Sequence, residues 1–146
     1  MQVLVMGGAG YIGSHVVREL QEAGHSIVVY DSLEHGHAQA VAGCELIQGD
    51  IGDPVTLSSV FAQHKPDVVM NFAAYTSVAE SMTDPAKYYR NNVSKTLVLL
   101  DTMVHEGICN IVFSSSAAVY GEPEHVPVDE DVRCAPTNVY GETKLM

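Results

Sequence analysis

The sequence predicts an α/β fold, a doubly wound parallel sheet, from three observations. Short apolar, β-branched runs alternate with stretches of helical periodicity. The glycine-rich stretch Gly7-Gly8-Ala9-Gly10-Tyr11-Ile12-Gly13 joins the first run directly to the first helix. No hairpin signal and no internal repeat breaks the alternation. A length of 146 residues allows a single domain, residues 1–146, with a core of ordinary size.

Taken in order, Gln2–Met6 is the first strand, and Tyr11–Ala23 a helix with Ile12, Val16 and Leu20 on one face, stopped by Gly24. Ile27–Tyr30 is the second strand, ending at Asp31. Ser32–Gly43 is an irregular loop. Its His35-Gly36-His37 could bind a metal, but no third ligand lies nearby, so a plain surface loop is expected and no metal site is assigned. Glu45–Gln48 is a short third strand. Pro54 opens a helix whose apolar positions are Leu57, Val60 and Phe61, and Lys65-Pro66 closes it. Asp67–Phe72 is a continuous apolar fourth strand, as buried parallel strands are. A long helix is expected from Pro85 to about Glu106, with Val93, Leu97, Leu100 and Val104 on one stripe, then a strand over Ile108–Phe113. A proline-containing loop, Glu122–Pro136, leads to a last helix beginning at Asn138.

Ligands of such sheets bind beyond the strand C-termini, where strand order reverses. The polar and small-residue clusters stand at those ends: Gly7–Gly13, Asp31, Asp50, Ala73–Thr76 and Ser114–Ser116. Gly8, Gly10 and Gly13 fit G-x-G-x-x-G, and Gly7, Gly10 and Gly13 fit G-x-x-G-x-x-G. Glycine here turns the chain, lets backbone approach a pyrophosphate and lets helix pack on strand. The free N–H groups of the helix's first turn then face an anion. Asp31 follows the last cradle glycine at near the ~20 residues expected of an acid that accepts from an adenosine ribose. Its charge would repel a 2′-phosphate, so NAD is expected over NADP.

A net charge of −11 leaves no basic stripe for nucleic acid. Asp129-Glu130-Asp131 is expected to be a solvated loop. No apolar run nears the roughly 18–20 residues of a membrane span, and the N-terminus lacks a basic n-region. Cys44, Cys109 and Cys134 form no C-x-x-C pair and read as reduced thiols, hence a cytoplasmic location.

Tyr140 and Lys144, four apart at a helix start, share one face. A free tyrosine titrates near ~10 and is a poor base at neutrality. A lysine one turn away and a cationic nicotinamide would stabilise the phenolate. Reaching ~7 takes on the order of 4 kcal/mol, which two nearby cations in a shielded pocket can supply. Ser116, at a strand's C-terminal end, would hydrogen-bond the same substrate oxygen.

Gly7–His15 (GGAGYIGSH), Phe72–Ala74 followed at Val78 by VAES, Tyr88-Tyr89-Arg90-Asn91-Asn92, Ser114–Gly121 (SSSAAVYG) and Tyr140-Gly141-Glu142-Thr143-Lys144 together resemble the extended short-chain dehydrogenase/reductases, and within them the nucleotide-sugar 4-epimerases. The likeness covers essentially the whole chain. It implies a Rossmann-like domain in which Gly7, Gly10 and Gly13, with the backbone of Tyr11 and Ile12, hold the NAD pyrophosphate. Asp31 and Ser32 would meet the adenosine ribose and Asp50-Ile51 the adenine, while Phe72, Ala73 and Ala74 line the dinucleotide. Asn91 would make a cofactor-side contact. Ser116, Tyr140 and Lys144 match the family's catalytic serine, tyrosine and lysine, the last two also touching the cofactor. The implied reaction interconverts UDP-glucose and UDP-galactose through a 4-keto sugar. The implied partners are a UDP-sugar and a second copy, since relatives dimerise through two long helices, one matching Pro85–Glu106 and one beginning near Asn138.

Two positions depart from the family. Thr76 stands where many of these epimerases carry a cofactor-contacting lysine, and Asn71 where a histidine is common. Family members are also about twice as long, so the chain is expected to be an N-terminal portion lacking the last strands and the sugar-binding domain. Alternatives are another nucleotide-sugar enzyme of the family, such as a decarboxylase or a different epimerase, or a non-catalytic NAD-binding module. Dehydratases place an Asp-Glu pair after the serine or threonine position, where this chain has Ala117-Ala118.

Overall fold

The computed structural model describes residues 1–146, which divide into two compact units. The first comprises Met1–Ala74 and Lys95–Ser114, and the second Tyr75–Ser94 and Ser115–Met146.

The first unit is a five-stranded parallel sheet: β1 (Gln2–Met6), β2 (Ser26–Asp31), β3 (Glu45–Gln48), β4 (Val68–Asn71) and β5 (Ile111–Phe113), in the order β3-β2-β1-β4-β5. The chain runs outward from β1 to β3 and then returns to the other side of β1, so β1 and β4 flank the point where strand order reverses. Alternation within β1 supplies both faces. Leu4 and Met6 join a core with Val28, Tyr30, Val69 and the buried side of α2 (Pro54–His64) and α5 (Lys95–His105). Val3 and Val5 join Ala9, Val17 and Val29 beneath α1 (Tyr11–Glu22). Two buried faces explain why these strands read as unbroken apolar runs.

The second unit is helical. It contains α3 (Val78–Thr83), α4 (Pro85–Tyr88), a π-helical stretch Tyr89–Ser94, a 3₁₀ turn Ala117–Tyr120 and α6 (Val139–Leu145). Side chains cap its helices: Ser77 Oγ accepts from the Glu80 N–H at 3.2 Å, and Asn138 Oδ1 from the Gly141 N–H at 2.8 Å.

Several elements differ from expectation. The single helix expected over Pro85–Glu106 is instead α4, the π-helical stretch and α5. Asn91 and Asn92, weak helix formers, sit inside the π-helical stretch, and the Asn92 side chain is held elsewhere. The stripe Leu97, Leu100 and Val104 is exposed, whereas Leu99, Thr102 and Met103 are buried. Helix α5 is apolar on more than one face, and periodicity does not say which face meets the sheet. Likewise Ile12 is exposed, and Gly13 with Val17 forms the buried face of α1, because Gly13 presses on the preceding turn. Strand β5 begins at Ile111 rather than Ile108, since the Ile108 N–H still donates to the Met103 carbonyl of the ending helix. Helix α3 and the turn Ala117–Tyr120 had no periodic signal because each spans fewer than two helical turns.

Candidate functional site

In the first unit, the turn after β1 closes on itself. Gly7 has φ +71°, and a Cβ there would lie 2.6 Å from the Ala73 nitrogen, so glycine is required on both counts. A Cβ on Gly13 would lie 2.3 Å from the Gly7 carbonyl oxygen. These contacts place Phe72 and Ala73, two of the residues expected there, beside the cradle at the end of β4, with Ala74 next in the chain. Gly10 is the N-cap of α1 and offers no side chain to the first-turn N–H groups of Tyr11, Ile12 and Gly13. Every ingredient of an anion site is backbone, consistent with a chain of strongly negative charge. The glycines thus fit a pyrophosphate: a space any side chain would fill, in front of uncapped donors.

Asp31 is buried at the end of β2. Its Oδ2 accepts from the Ala9 N–H at 2.9 Å and its Oδ1 from the Leu33 N–H at 2.8 Å. One carboxylate therefore ties the cradle to the following loop, a role the sequence reading did not assign, and each oxygen keeps a lone pair for a ribose hydroxyl. Ser32, beside it, is exposed. The His37 N–H donates to the Ala9 carbonyl at 2.9 Å, so the His35–His37 loop folds over the cradle. No cluster of three His, Cys, Asp or Glu suited to a metal exists in the chain, and the three cysteines are free thiols.

Asp50 lies beyond β3. Its carbonyl accepts from the Tyr30 hydroxyl at 3.0 Å, its Oδ1 accepts from the Gly52 N–H at 2.7 Å, and its Oδ2 from the Lys95 ammonium. Ile51 is buried. Burial, reinforced by the Asp53 and Asp50 carboxylates, pushes the Tyr30 hydroxyl up to about 12, so it acts as a neutral donor throughout the physiological range. Asn71, also buried, accepts from the Ala73 N–H through Oδ1, while its Nδ2 meets no partner.

The second unit gathers Asn91, Ser116, Tyr140 and Lys144. A Cβ on Gly141 would lie 2.6 Å from the Ala118 carbonyl oxygen, so this glycine lets α6 rest directly on the 3₁₀ turn that Ser116 caps. Ser116 Oγ accepts from the Ala118 N–H at 3.2 Å, which leaves its proton free to donate. Ser115 Oγ donates to the Lys144 carbonyl at 3.3 Å, and the Tyr140 N–H donates to Ser81 Oγ at 3.1 Å. Lys144 is buried, and that desolvation lowers its ammonium to about 8. Tyr140 is half-buried.

Buried Asn92 completes this assembly. Its Oδ1 accepts from the Tyr75 N–H (2.8 Å) and from Asn91 Nδ2 (3.1 Å), and its Nδ2 donates to the Tyr75 carbonyl (3.0 Å) and Thr143 Oγ1 (3.1 Å). Thr143 Oγ1 in turn donates to the Tyr140 carbonyl at 2.8 Å. All four hydrogen-bonding positions of one amide are thus used: three tie Tyr75 and Asn91 together, and the fourth reaches the Tyr140 helix at Thr143. Asn91, expected to face a cofactor, spends a donor on this neighbour. The asparagine pair was visible in the sequence, but nothing there distinguished its two members. Thr76 is exposed, and the nearby cation is Lys87, 4.6 Å from the Tyr75 ring centroid and 2.7 Å from Glu80.

Comparison with known proteins gives the chain's family and fold. Residues 3–146 match the NAD dependent epimerase/dehydratase family. A UDP-glucose 4-epimerase of Lacticaseibacillus casei is 51% identical over 99% of this chain and 44% of its own length. The crystal structure of UDP-glucose 4-epimerase from Brucella ovis in complex with NAD superimposes with a TM-score of 0.96 at 46% identity, over 99% of this chain and 44% of that one. The Stenotrophomonas maltophila UDP-glucose 4-epimerase, solved with NAD and formylated UDP-arabinopyranose, gives 0.94 at 42% identity, over 99% of this chain and 46% of that one. The chain thus spans less than half the length of these relatives. No helix is long and apolar enough to cross a membrane. With a family match over nearly its whole length, a glycine cradle at the sheet's reversal point and a Ser-Tyr-Lys set on one helical unit, the chain belongs to the NAD dependent epimerase/dehydratase family.

Proposed function

We propose that the protein is a cytoplasmic NAD-dependent epimerase that interconverts UDP-glucose and UDP-galactose. The observation that carries this reading is the Gly141 contact, which brings the helix of Tyr140 and Lys144 onto the turn of Ser116 within one unit. The names of the similar proteins support the substrate class. Gly7, Gly10 and Gly13 with the Tyr11 and Ile12 backbone would hold the NAD pyrophosphate, Asp31 and Ser32 the adenosine ribose, Asp50 and Ile51 the adenine. Phe72, Ala73, Ala74 and Asn91 would line the remainder.

When bound, NAD supplies reversible hydride acceptance from the sugar's C4. The Tyr140 phenolate takes the proton of the 4-hydroxyl and returns it to the same oxygen after the keto sugar presents its other face. Ser116 donates a hydrogen bond to that oxygen and fixes its distance from Tyr140. Lys144, one helical turn from Tyr140, contributes positive charge that favours the phenolate, and its burial strengthens the effect. The exposed stripe Leu97, Leu100 and Val104 supports pairing with a second copy of the chain.

The test is to incubate the purified protein with NAD and UDP-galactose and to follow UDP-glucose. Formation that is lost in Tyr140→Phe supports the reading. NAD binding without turnover of any UDP-sugar would instead favour a dinucleotide-binding module.

A further inference from the structure

We propose that Lys95 is a positioning residue for the base of the dinucleotide: it aligns the Asp50 carboxylate against the 6-amino group of adenine. The inference deepens the NAD reading above and rests on it. The cradle follows β1, the ribose acid Asp31 ends β2, and Asp50 follows β3, the next strand outward. A dinucleotide extending from the cradle in that direction brings its base to Asp50-Ile51.

Three elements converge to fix this corner. The Tyr30 hydroxyl holds the Asp50 carbonyl, and the Gly52 N–H holds Oδ1. Lys95, from the first turn of α5 and 45 residues away in sequence, holds Oδ2. Its aliphatic stem lies over Gly52, where a Cβ would come within 2.8 Å of Lys95 Cγ. Without Lys95 the carboxylate keeps only its Oδ1 anchor and can turn about its last torsion. The Asp50 side chain is still 46% exposed, so one side of the carboxylate remains open to a ligand. Each oxygen retains a lone pair, and the adjacent Ile51 N–H donates to no backbone acceptor. An acceptor beside a donor matches the amino group and N1 of adenine. Hypoxanthine presents the opposite pair, a 6-oxo acceptor and an N1–H donor.

A half-exposed ion pair adds little to stability, so stability alone does not account for Lys95. When a base covers the corner, however, the carboxylate loses water, and a paired charge tolerates that loss far better than an unpaired one.

The experiment titrates NAD and nicotinamide hypoxanthine dinucleotide calorimetrically into the wild-type protein, Lys95→Met, Lys95→Arg and Asp50→Asn, with a thermal midpoint for each. The wild type is expected to prefer NAD by roughly tenfold or more, as a mismatched hydrogen bond to a charged group costs. Lys95→Met should lose most of that preference with little change in the midpoint, and Lys95→Arg should keep it. Asp50→Asn, whose amide can donate to a 6-oxo group, should narrow or invert it. A wild type that binds both dinucleotides equally overturns the proposal and leaves the NAD site standing. So does a Lys95→Met protein that weakens both ligands alike or keeps the full preference. A wild type that binds neither dinucleotide overturns the NAD reading itself.

Discussion

The two units build their sites from different material. In the first, the cradle is backbone: glycines, an uncapped helix start and strand ends set in place by the sheet register. In the second, side chains do the positioning. Asn92, Ser81 and Thr143 each hold a point on α6, and Tyr89 donates through its hydroxyl to the Glu142 carboxylate. A backbone site tolerates little change at its glycines but is indifferent to surface charge. A side-chain site can lose one support and keep its fold, with consequences for reaction geometry.

The sharpest way to separate the units is chemical. Tyr140→Phe removes one hydroxyl from the second unit and is expected to lower epimerase turnover by ~10²–10⁴-fold, the usual share of a positioned base. NAD binding, measured by titration, should change far less.

Gly13→Ala attacks the first unit instead. Its Cβ would meet a backbone oxygen, which cannot swing aside as a side chain can. The expected outcome is a loss of roughly 3 kcal/mol in urea unfolding, together with loss of detectable NAD binding. A protein that binds NAD normally with alanine there would erase the contrast between the units.

Asn92→Leu probes the side-chain network. It removes the Asn92 bonds to the part-buried Tyr75 N–H and carbonyl and to buried Thr143 Oγ1, a cost of about 2–3 kcal/mol. Turnover should fall further than stability alone explains, because the Tyr140 helix loses a support.

The smallest expected effect concerns Lys144, whose ammonium is lowered by burial to about 8 against ~10.4 for an unfolded lysine. Between those values the unfolded chain binds more protons, so this group's contribution to stability rises with pH across that window. Below it, keeping the buried ammonium charged is a penalty that the unfolded chain does not carry. Lys144→Met should therefore be more stable than the wild type at pH 7, less active, and lose its stability advantage by about pH 10. Unfolding midpoints along a pH series measure the slope directly.

This difference in material also explains what could be read from the sequence. Strands β1, β2 and β4 and helix α2 were legible because burial on both sheet faces leaves apolar runs, and Leu57, Val60 and Phe61 mark the buried side of α2. The positions of Gly7 and Gly13 were legible because a tight backbone turn demands glycine at fixed spacing, and that of Asp31 because it ends the second apolar run. The second unit left little periodic trace. Helix α3 has six residues, and the π-helical stretch interrupts what reads as one long helix. The role of Gly141 depends on a contact with Ala118, 23 positions earlier, and that of Lys95 on Asp50 across 45 residues. Tyr140 and Lys144 could be named from spacing and resemblance, but the supports that aim them could not. The apolar stripe Leu97, Leu100 and Val104 shows the same limit, since spacing reveals an apolar face without revealing what covers it.

The most direct test of the division between a cradle that holds NAD and a helical unit that performs proton transfer is a single-turnover measurement. Wild-type and Tyr140→Phe proteins are mixed with NAD and a UDP-hexose, and the absorbance of reduced nicotinamide is followed. Both proteins are expected to bind NAD, with the reduced band forming in the wild type and failing to form in Tyr140→Phe. Equal reduction in the two proteins, or no NAD binding by either, would contradict the account.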